Sequence, residues 1–139
     1  DGTPTGLLAA GGKAYVTTFD TVGRLHRISL ETGRTEASVV TGSGACAPLS
    51  GPGGDRIYVC NQFQNTVSEV DPATMQVVRT VRVLREPRSA VFSKDGKYLF
   101  VANFLPDRRA DADYVLDLNF DTCPSDPLKS VVKGVAISA

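Results

Sequence analysis

The feature that most constrains the fold is an internal repeat of about 42 residues. Three times along the chain a short apolar segment ends in a glycine turn, and these turns are centred on Gly12, Gly54 and Gly96. A second apolar segment follows each turn, at residues 15–18, 58–61 and 100–103. Apolar segments joined by glycine turns predict antiparallel hairpins, so the chain is built from a recurring β unit.

Each unit contains four predicted strands. Third strands lie at 25–32 and 67–74, and fourth strands at 37–40 and 77–83. Four short strands in about 42 residues are typical of a propeller blade, which stacks on its neighbours because one sheet cannot bury both faces. The predicted fold is therefore all-β: a single partial β-propeller domain over 1–139, with about three four-stranded blades of a larger ring. The blades are predicted at about 5–45, 46–86 and 87–133, with a fourth starting at 134–139. A plain β-sandwich is the alternative.

The third repeat carries an insertion of about six residues between its second and third strands. Three carboxylates in it are candidate oxygen ligands for a cation such as calcium: Asp107, Asp111 and Asp113. Asp107, Arg108 and Arg109 are also candidates for contact with a ligand or partner, the two arginines with an anionic one. The alternative is a solvated loop with Asp–Arg pairs, and the spacing lacks the glycine and terminal glutamate of an EF-hand.

Three polar residues are predicted at the same end of the blades as this insertion. Strand alternation places the loop that enters a blade and the loop between its second and third strands at one end. Asn61 and Asn103 close second strands, and Arg88 follows the entry into the third repeat. We interpret the three as candidate ligand- or partner-binding residues near the ring axis, with ordinary turn chemistry as the alternative.

Two of the three cysteines are predicted to face each other. Cys46 and Cys60 lie at equal distances from a turn centred near Gly53, so an antiparallel pair brings them opposite one another. We predict a Cys46–Cys60 disulfide, which fits an oxidising compartment. Two buried free thiols are the alternative. Cys123 falls in a turn at the opposite end.

Composition narrows the possible functions. Lys plus Arg and Asp plus Glu are both 15, and this neutral balance disfavours a nucleic-acid partner. No apolar run approaches the ~20 residues of a membrane helix, so no membrane span is predicted. There is no haem-attachment motif and no nucleophile elbow, and one histidine cannot build a multi-histidine metal site. No catalytic residue and no cofactor other than possible calcium is predicted.

The repeats resemble the YVTN-type β-propeller family, named for a Tyr-Val-Thr-Asn second strand. Residues 15–18 and 58–61 each match three of these four positions. Residues 67–74 are similar to the family's Val-Ser-Val-Ile-Asp-x-x-Thr stretch, and 87–96 to its Pro-x-x-Val-Ala-x-Ser-Pro-Asp-Gly stretch. The resemblance covers almost the whole chain and is weakest at 104–130. It implies a seven-bladed ring outside the cytoplasm, whether periplasmic, secreted or at the cell surface, and carries over no catalytic motif.

Two functions follow as expectations. The first is a non-enzymatic extracytoplasmic scaffold that binds a protein or small molecule at its loop face or builds a surface layer. The alternative is part of a lactonase-like or quinoprotein-like enzyme whose active site needs other blades. Three blades cannot close a ring, since closed propellers have about four to eight. We expect the remaining blades from the same chain or, less favoured, from another copy.

Overall fold

A computed structural model describes residues 2–104, 116–118 and 131–136, and these form three four-stranded sheets. The strands of the first sheet are β1 (Thr3–Ala10), β2 (Lys13–Phe19), β3 (Arg24–Ser29) and β4 (Thr35–Val40). Those of the second are β5 (Ala45–Ser50), β6 (Ile57–Asn61), β7 (Thr66–Asp71) and β8 (Gln76–Arg82). Those of the third are β9 (Pro87–Phe92), β10 (Tyr98–Asn103), β11 (Leu116–Leu118) and β12 (Val131–Ala136). Within the described ranges, the one helical segment is a 3-10 turn at Gln62–Gln64. No helix in these ranges is long and apolar enough to cross a membrane.

The all-β prediction is confirmed, and the first two sheets are antiparallel meanders in chain order. The third sheet differs, because its order is β11-β12-β10-β9 and β12 runs parallel to β10. The sequence predicts a fourth repeat from Gly134 onward, whereas the structure pairs Gly134 with Val101 inside the third sheet. The physical reason is that a free edge of β10 would leave backbone N–H and C=O groups unpaired, and β12 satisfies them.

Strand β6 shows why the sheets must stack, since all five of its residues are buried. Ile57 and Val59 join a core that includes Tyr15 and Leu25 of the first sheet. The alternate residues, Tyr58 and Cys60, join a second core with Leu99 and Val101 of the third sheet. Side chains alternate between the faces of a strand, so a strand that is apolar throughout needs a neighbour on both sides.

Equivalent aromatic residues occupy matching places in the three sheets. Tyr15 pairs with Leu8, Tyr58 with Leu49, and Phe100 with Val91. The exposed fractions are 6% for Tyr15 and 8% for Tyr58, which the next sheet covers, but 37% for Phe100. In the described part of the chain, no further sheet covers the Phe100 face of the third sheet.

The stacked sheets approach most closely at their first strands, where β1 meets β5 and β5 meets β9. A Cβ on Gly6 of β1 would lie 2.6 Å from Cδ of Pro48 and 2.9 Å from the backbone nitrogen of Ala47 on β5. Beside it, the Thr5 hydroxyl donates to the carbonyl of Ala45 at 2.5 Å. The sheets therefore fan out from their first strands.

The turns between the third and fourth strands of the first two sheets share a backbone conformation, although different residues adopt it. Gly33 in the first sheet and Met75 in the second occupy the same place and have φ values of 66° and 53°. Glycine adopts this left-handed conformation without steric cost. Met75 adopts it while its side chain is buried in the core between the first two sheets, so packing offsets the backbone strain.

Candidate functional site

The candidate site lies at one end of the sheets, which we call the loop end. It holds the connections at residues 20–23, 41–44, 62–65 and 83–86. Asn61 and Asn103 are the last residues of β6 and β10, and Arg88 is the second residue of β9. The structure therefore brings the three polar residues to the loop end, as their places in the repeat predict.

The two asparagines lie in the interior rather than on an open surface. Asn61 is fully buried, and its amide nitrogen donates to the hydroxyls of Thr66 at 3.0 Å and Ser68 at 2.8 Å. The Asn103 amide nitrogen donates to the carbonyl of Val101 at 3.1 Å. The Asn61 amide thus ties the end of β6 to β7, whereas the Asn103 amide bonds within its own strand, and the role of both residues in binding remains a prediction.

The first sheet repeats the Asn61 arrangement with different side chains. Thr18, the equivalent of Asn61, has its hydroxyl 2.9 Å from Nε2 of His26, and His26 is the equivalent of Ser68. Burial lowers the pKa of His26, so the ring is neutral near pH 7. A hydrogen bond from the end of the second strand to the third strand is thus a structural feature of both sheets.

Of Asn61, Arg88 and Asn103, Arg88 is the accessible residue, and its side chain is half exposed. Its guanidinium carbon lies 4.9 Å from the centroid of the Phe104 ring, within the range of a cation–π contact. Its Nη2 lies 3.5 Å from the carboxylate of Glu86. This carboxylate also accepts a hydrogen bond from the side-chain amide of Gln62 at 3.1 Å. Arg88 is held between an aromatic face and an acidic group.

Two exposed aromatic residues lie at the same loop end as this charged pair, and one of them, Phe104, contacts Arg88. Phe104 is 61% exposed and Phe63 is 54% exposed. Phe63 packs edge-on against Phe19 with ring centroids 5.3 Å apart, which links the first and second sheets. We call these residues the loop-end patch: Phe19, Gln62, Phe63, Glu86, Arg88 and Phe104. Of these residues the sequence predicts only Arg88. Phe19, Gln62 and Phe104 share a position, because each directly follows the second apolar segment of its repeat, at 15–18, 58–61 and 100–103.

Glu86 holds its carboxylate in the patch on a strained backbone. Its φ is 55°, and it directly precedes β9 as Gly44, whose φ is 74°, directly precedes β5. The backbone amide of Phe104 donates to the Glu86 carbonyl at 2.9 Å, as the backbone amide of Gln62 donates to the Gly44 carbonyl at 3.0 Å. A left-handed conformation costs a non-glycine residue about 1–2 kcal/mol, and such strain clusters at functional sites.

Replacing Glu86 with glycine is expected to leave stability unchanged or to raise it by up to about 1 kcal/mol, because strain is relieved while only surface contacts are lost. Glu86→Ala, which keeps the strain and loses the carboxylate, should be less stable than wild type. Urea unfolding followed by circular dichroism compares the variants. Equal destabilisation by both substitutions would contradict the strain at Glu86.

The predicted cation site lies outside the described residues. Asp107, Arg108, Arg109, Asp111 and Asp113 follow Phe104 in the chain, and their roles in calcium or partner binding remain predictions. Within residues 2–104, 116–118 and 131–136, no group of three or more His, Cys, Asp or Glu side chains is arranged to hold a metal ion.

Cys46 and Cys60 are directly opposite each other in the pairing of β5 with β6, so the predicted register is confirmed. Both are free thiols in the structure, and the predicted disulfide is not formed. The Cys46 thiol instead donates to the carbonyl of Pro87 on the third sheet at 3.7 Å. Burial raises the pKa of Cys46 and raises that of Cys60 to about 12. Cys123 lies outside the described residues.

Comparisons with known proteins bear on the fold. No protein-family model matches the chain, and no curated protein matches it. It is similar to Kuenenia stuttgartiensis hydrazine synthase, with a TM-score of 0.68 and 23% identity over 73% of this chain and 29% of that one. It is also similar to Pyrococcus horikoshii acylaminoacyl peptidase, with a TM-score of 0.57 and 17% identity over 86% and 20% of the two chains.

A third solved structure, a protein of unknown function from Bacteroides caccae, has a TM-score of 0.50 and 16% identity over 67% of this chain and 36% of that one. The chain thus spans between 20% and 36% of the length of these three structures. The hydrazine synthase and the peptidase have propeller-like folds. At these identities the similarity concerns the fold alone.

Proposed function

We propose that the chain contributes about three blades to a seven-bladed extracytoplasmic β-propeller of the YVTN type, which acts as a non-enzymatic binding scaffold. Its partner, a protein or small molecule, docks on the loop-end patch. The observation that carries this proposal is the pair of exposed rings, Phe63 and Phe104, at the same loop end as the Arg88–Glu86 ion pair.

The propeller part of the proposal is supported by how the sheets stack. Propeller blades are four-stranded sheets that pack face to face and converge on an axis at their first strands. The close approach of Gly6 to Pro48 and the sparse contacts between β4 and β8 fit this convergence. The exposed Phe100 face supports a further blade, because Tyr15 and Tyr58 are covered at the equivalent place.

The binding part is supported by the chemistry of the patch. Aromatic residues and arginine contribute most of the binding energy in many protein interfaces. Phe104 holds the Arg88 guanidinium in place before any partner arrives, which reduces the entropy lost on binding. The Glu86 carboxylate is already engaged by Gln62 and Arg88, an arrangement that suits recognition of a partner better than proton transfer.

To test the proposal, extracytoplasmic proteins are passed over the chain, and a partner that the chain retains is then titrated against it to measure binding. We expect Phe63→Ser combined with Phe104→Ser to weaken binding about 30-fold or more, because a hot spot contributes about 2 kcal/mol or more. Val78→Ser is the matched control, since Val78 is 55% exposed on the outer strand β8. A partner retained equally by wild type and the double variant would refute the role of the patch.

A further inference from the structure

Cys46 and Cys60 are arranged for a covalent bond that the structure does not contain. They are directly opposed in an antiparallel strand pair. Opposed residues in such pairs have Cα atoms about 4.5–5.5 Å apart, and disulfides accept Cα separations of about 4.4–6.8 Å. The two sulfurs can therefore be joined without a shift of register.

The two thiols differ in access to reagents from solvent. Cys60 is 1% exposed and lies in the core between the second and third sheets. Cys46 is only partly buried, and its sulfur lies near the loop end beside Pro87. Burial raises the pKa of Cys46, and the charge of Arg88 partly offsets this increase. Burial also raises the pKa of Cys60, and the charge of Cys46 raises it further. An external reagent should therefore meet Cys46 first.

We propose that Cys46 and Cys60 form a thiol–disulfide exchange site in which Cys46 takes up an external disulfide and Cys60 resolves it. The Cys46 thiol releases its proton to solvent, and the thiolate attacks one sulfur of a small disulfide such as oxidised glutathione. A mixed disulfide forms and one glutathione thiolate leaves. The Cys60 thiol then gives up its proton, its sulfur attacks Sγ of Cys46, and the second glutathione leaves and takes up that proton. Two protein thiols are oxidised, and one small disulfide is reduced to two thiols.

The exchange has a consequence for the contact between two sheets. In the reduced state the Cys46 thiol donates to the carbonyl of Pro87, the first residue of β9. Closing the bond removes this donor and replaces a contact between the second and third sheets with a covalent link inside the second. The affected carbonyl immediately precedes Arg88, so the site adjoins the loop-end patch. The proposal does not depend on what binds that patch.

The test uses the full 139-residue chain with Cys123→Ser, so that only two of its three cysteines remain. Native protein is incubated with oxidised glutathione, quenched with acid and analysed by mass spectrometry. We expect the two-cysteine chain to lose two hydrogen masses and retain no glutathione. Adding Cys60→Ala should trap one glutathione on Cys46. In the chain with Cys123→Ser and Cys46→Ala, Cys60 should take up glutathione at least tenfold more slowly than Cys46 does in the chain with Cys123→Ser and Cys60→Ala.

The same reactions in denaturant are the control for intrinsic reactivity, because the two single-cysteine variants should then react at similar rates. Two results would overturn the proposal. One is a native two-cysteine chain that keeps both thiols or accumulates only mixed disulfide. The other is native Cys60 that reacts as fast as native Cys46, since the assigned order of attack would then be wrong.

Discussion

Replacing Gly6 with alanine is expected to lower the free energy of unfolding by about 2 kcal/mol, a typical cost of overpacking a close contact. The added Cβ would lie 2.6 Å from Cδ of Pro48, 2.9 Å from the backbone nitrogen of Ala47 and 2.9 Å from the hydroxyl of Thr17. Two of these atoms belong to the backbone or to a rigid ring and cannot rotate away. The first and second sheets must separate at their first strands, and Gly6→Val should cost more.

Gly53→Ala is the matched control, because its Cβ would meet only the flexible side chain of Asp55 within 4 Å, at 3.1 Å. Its effect on stability should be small. Urea unfolding of the two variants, monitored by circular dichroism, measures the difference. If Gly6→Ala were no more destabilising than Gly53→Ala, the first strands would not approach each other as described, and the convergence expected of propeller blades would lose its main support.

Removing the carboxylate of Glu69 is expected to lower the free energy of unfolding by about 3 kcal/mol, because breaking a buried ion pair leaves charges uncompensated. Glu69 is only 6% exposed on β7. It accepts from Nη2 and Nε of Arg79 at 2.6 and 3.0 Å and pairs with Nε of Arg56 at 3.2 Å. In Glu69→Ala, two guanidinium groups would face each other near the core without the acid between them.

The first sheet offers a matched control for this substitution. Glu36 also lies between two cations, Lys13 and Arg27, but its carboxylate is exposed to solvent. Water screens exposed pairs, so Glu36→Ala should have a much smaller effect. A double-mutant cycle with Glu69→Ala and Arg79→Ala isolates the pair interaction. Equal losses for Glu69→Ala and Glu36→Ala would show that burial does not strengthen the second cluster.

Much of the fold was predictable because its signals are local. Glycine turns 42 residues apart mark the hairpins, and Gly12, Gly54 and Gly96 all have positive φ values. Counting from the turn near Gly53 also predicted the pairing of Cys46 with Cys60. These features depend on turn chemistry and strand alternation, which act over a few residues.

The site was less predictable, because exposure depends on what packs nearby. Asn61 and Asn103 end their strands as the repeat predicts, but neighbouring groups bury both side chains. Glu86 takes the place of a glycine, so no local rule predicts its left-handed backbone. Its carboxylate joins Gln62 and Arg88 only because the second and third sheets meet there.

The sequence by itself determined an all-β chain of repeating four-stranded units, because turn glycines and apolar alternation are properties of short segments. Only the tertiary structure decided which faces are covered, how β12 enters the third sheet, and which side chains form the loop-end patch. The physical reason is that burial and edge pairing depend on sheets far apart in the chain. Tyr58 and Phe100 occupy the same place in their repeats, yet Tyr58 is buried and Phe100 exposed, since among the described residues only Tyr58 has a neighbouring sheet over it.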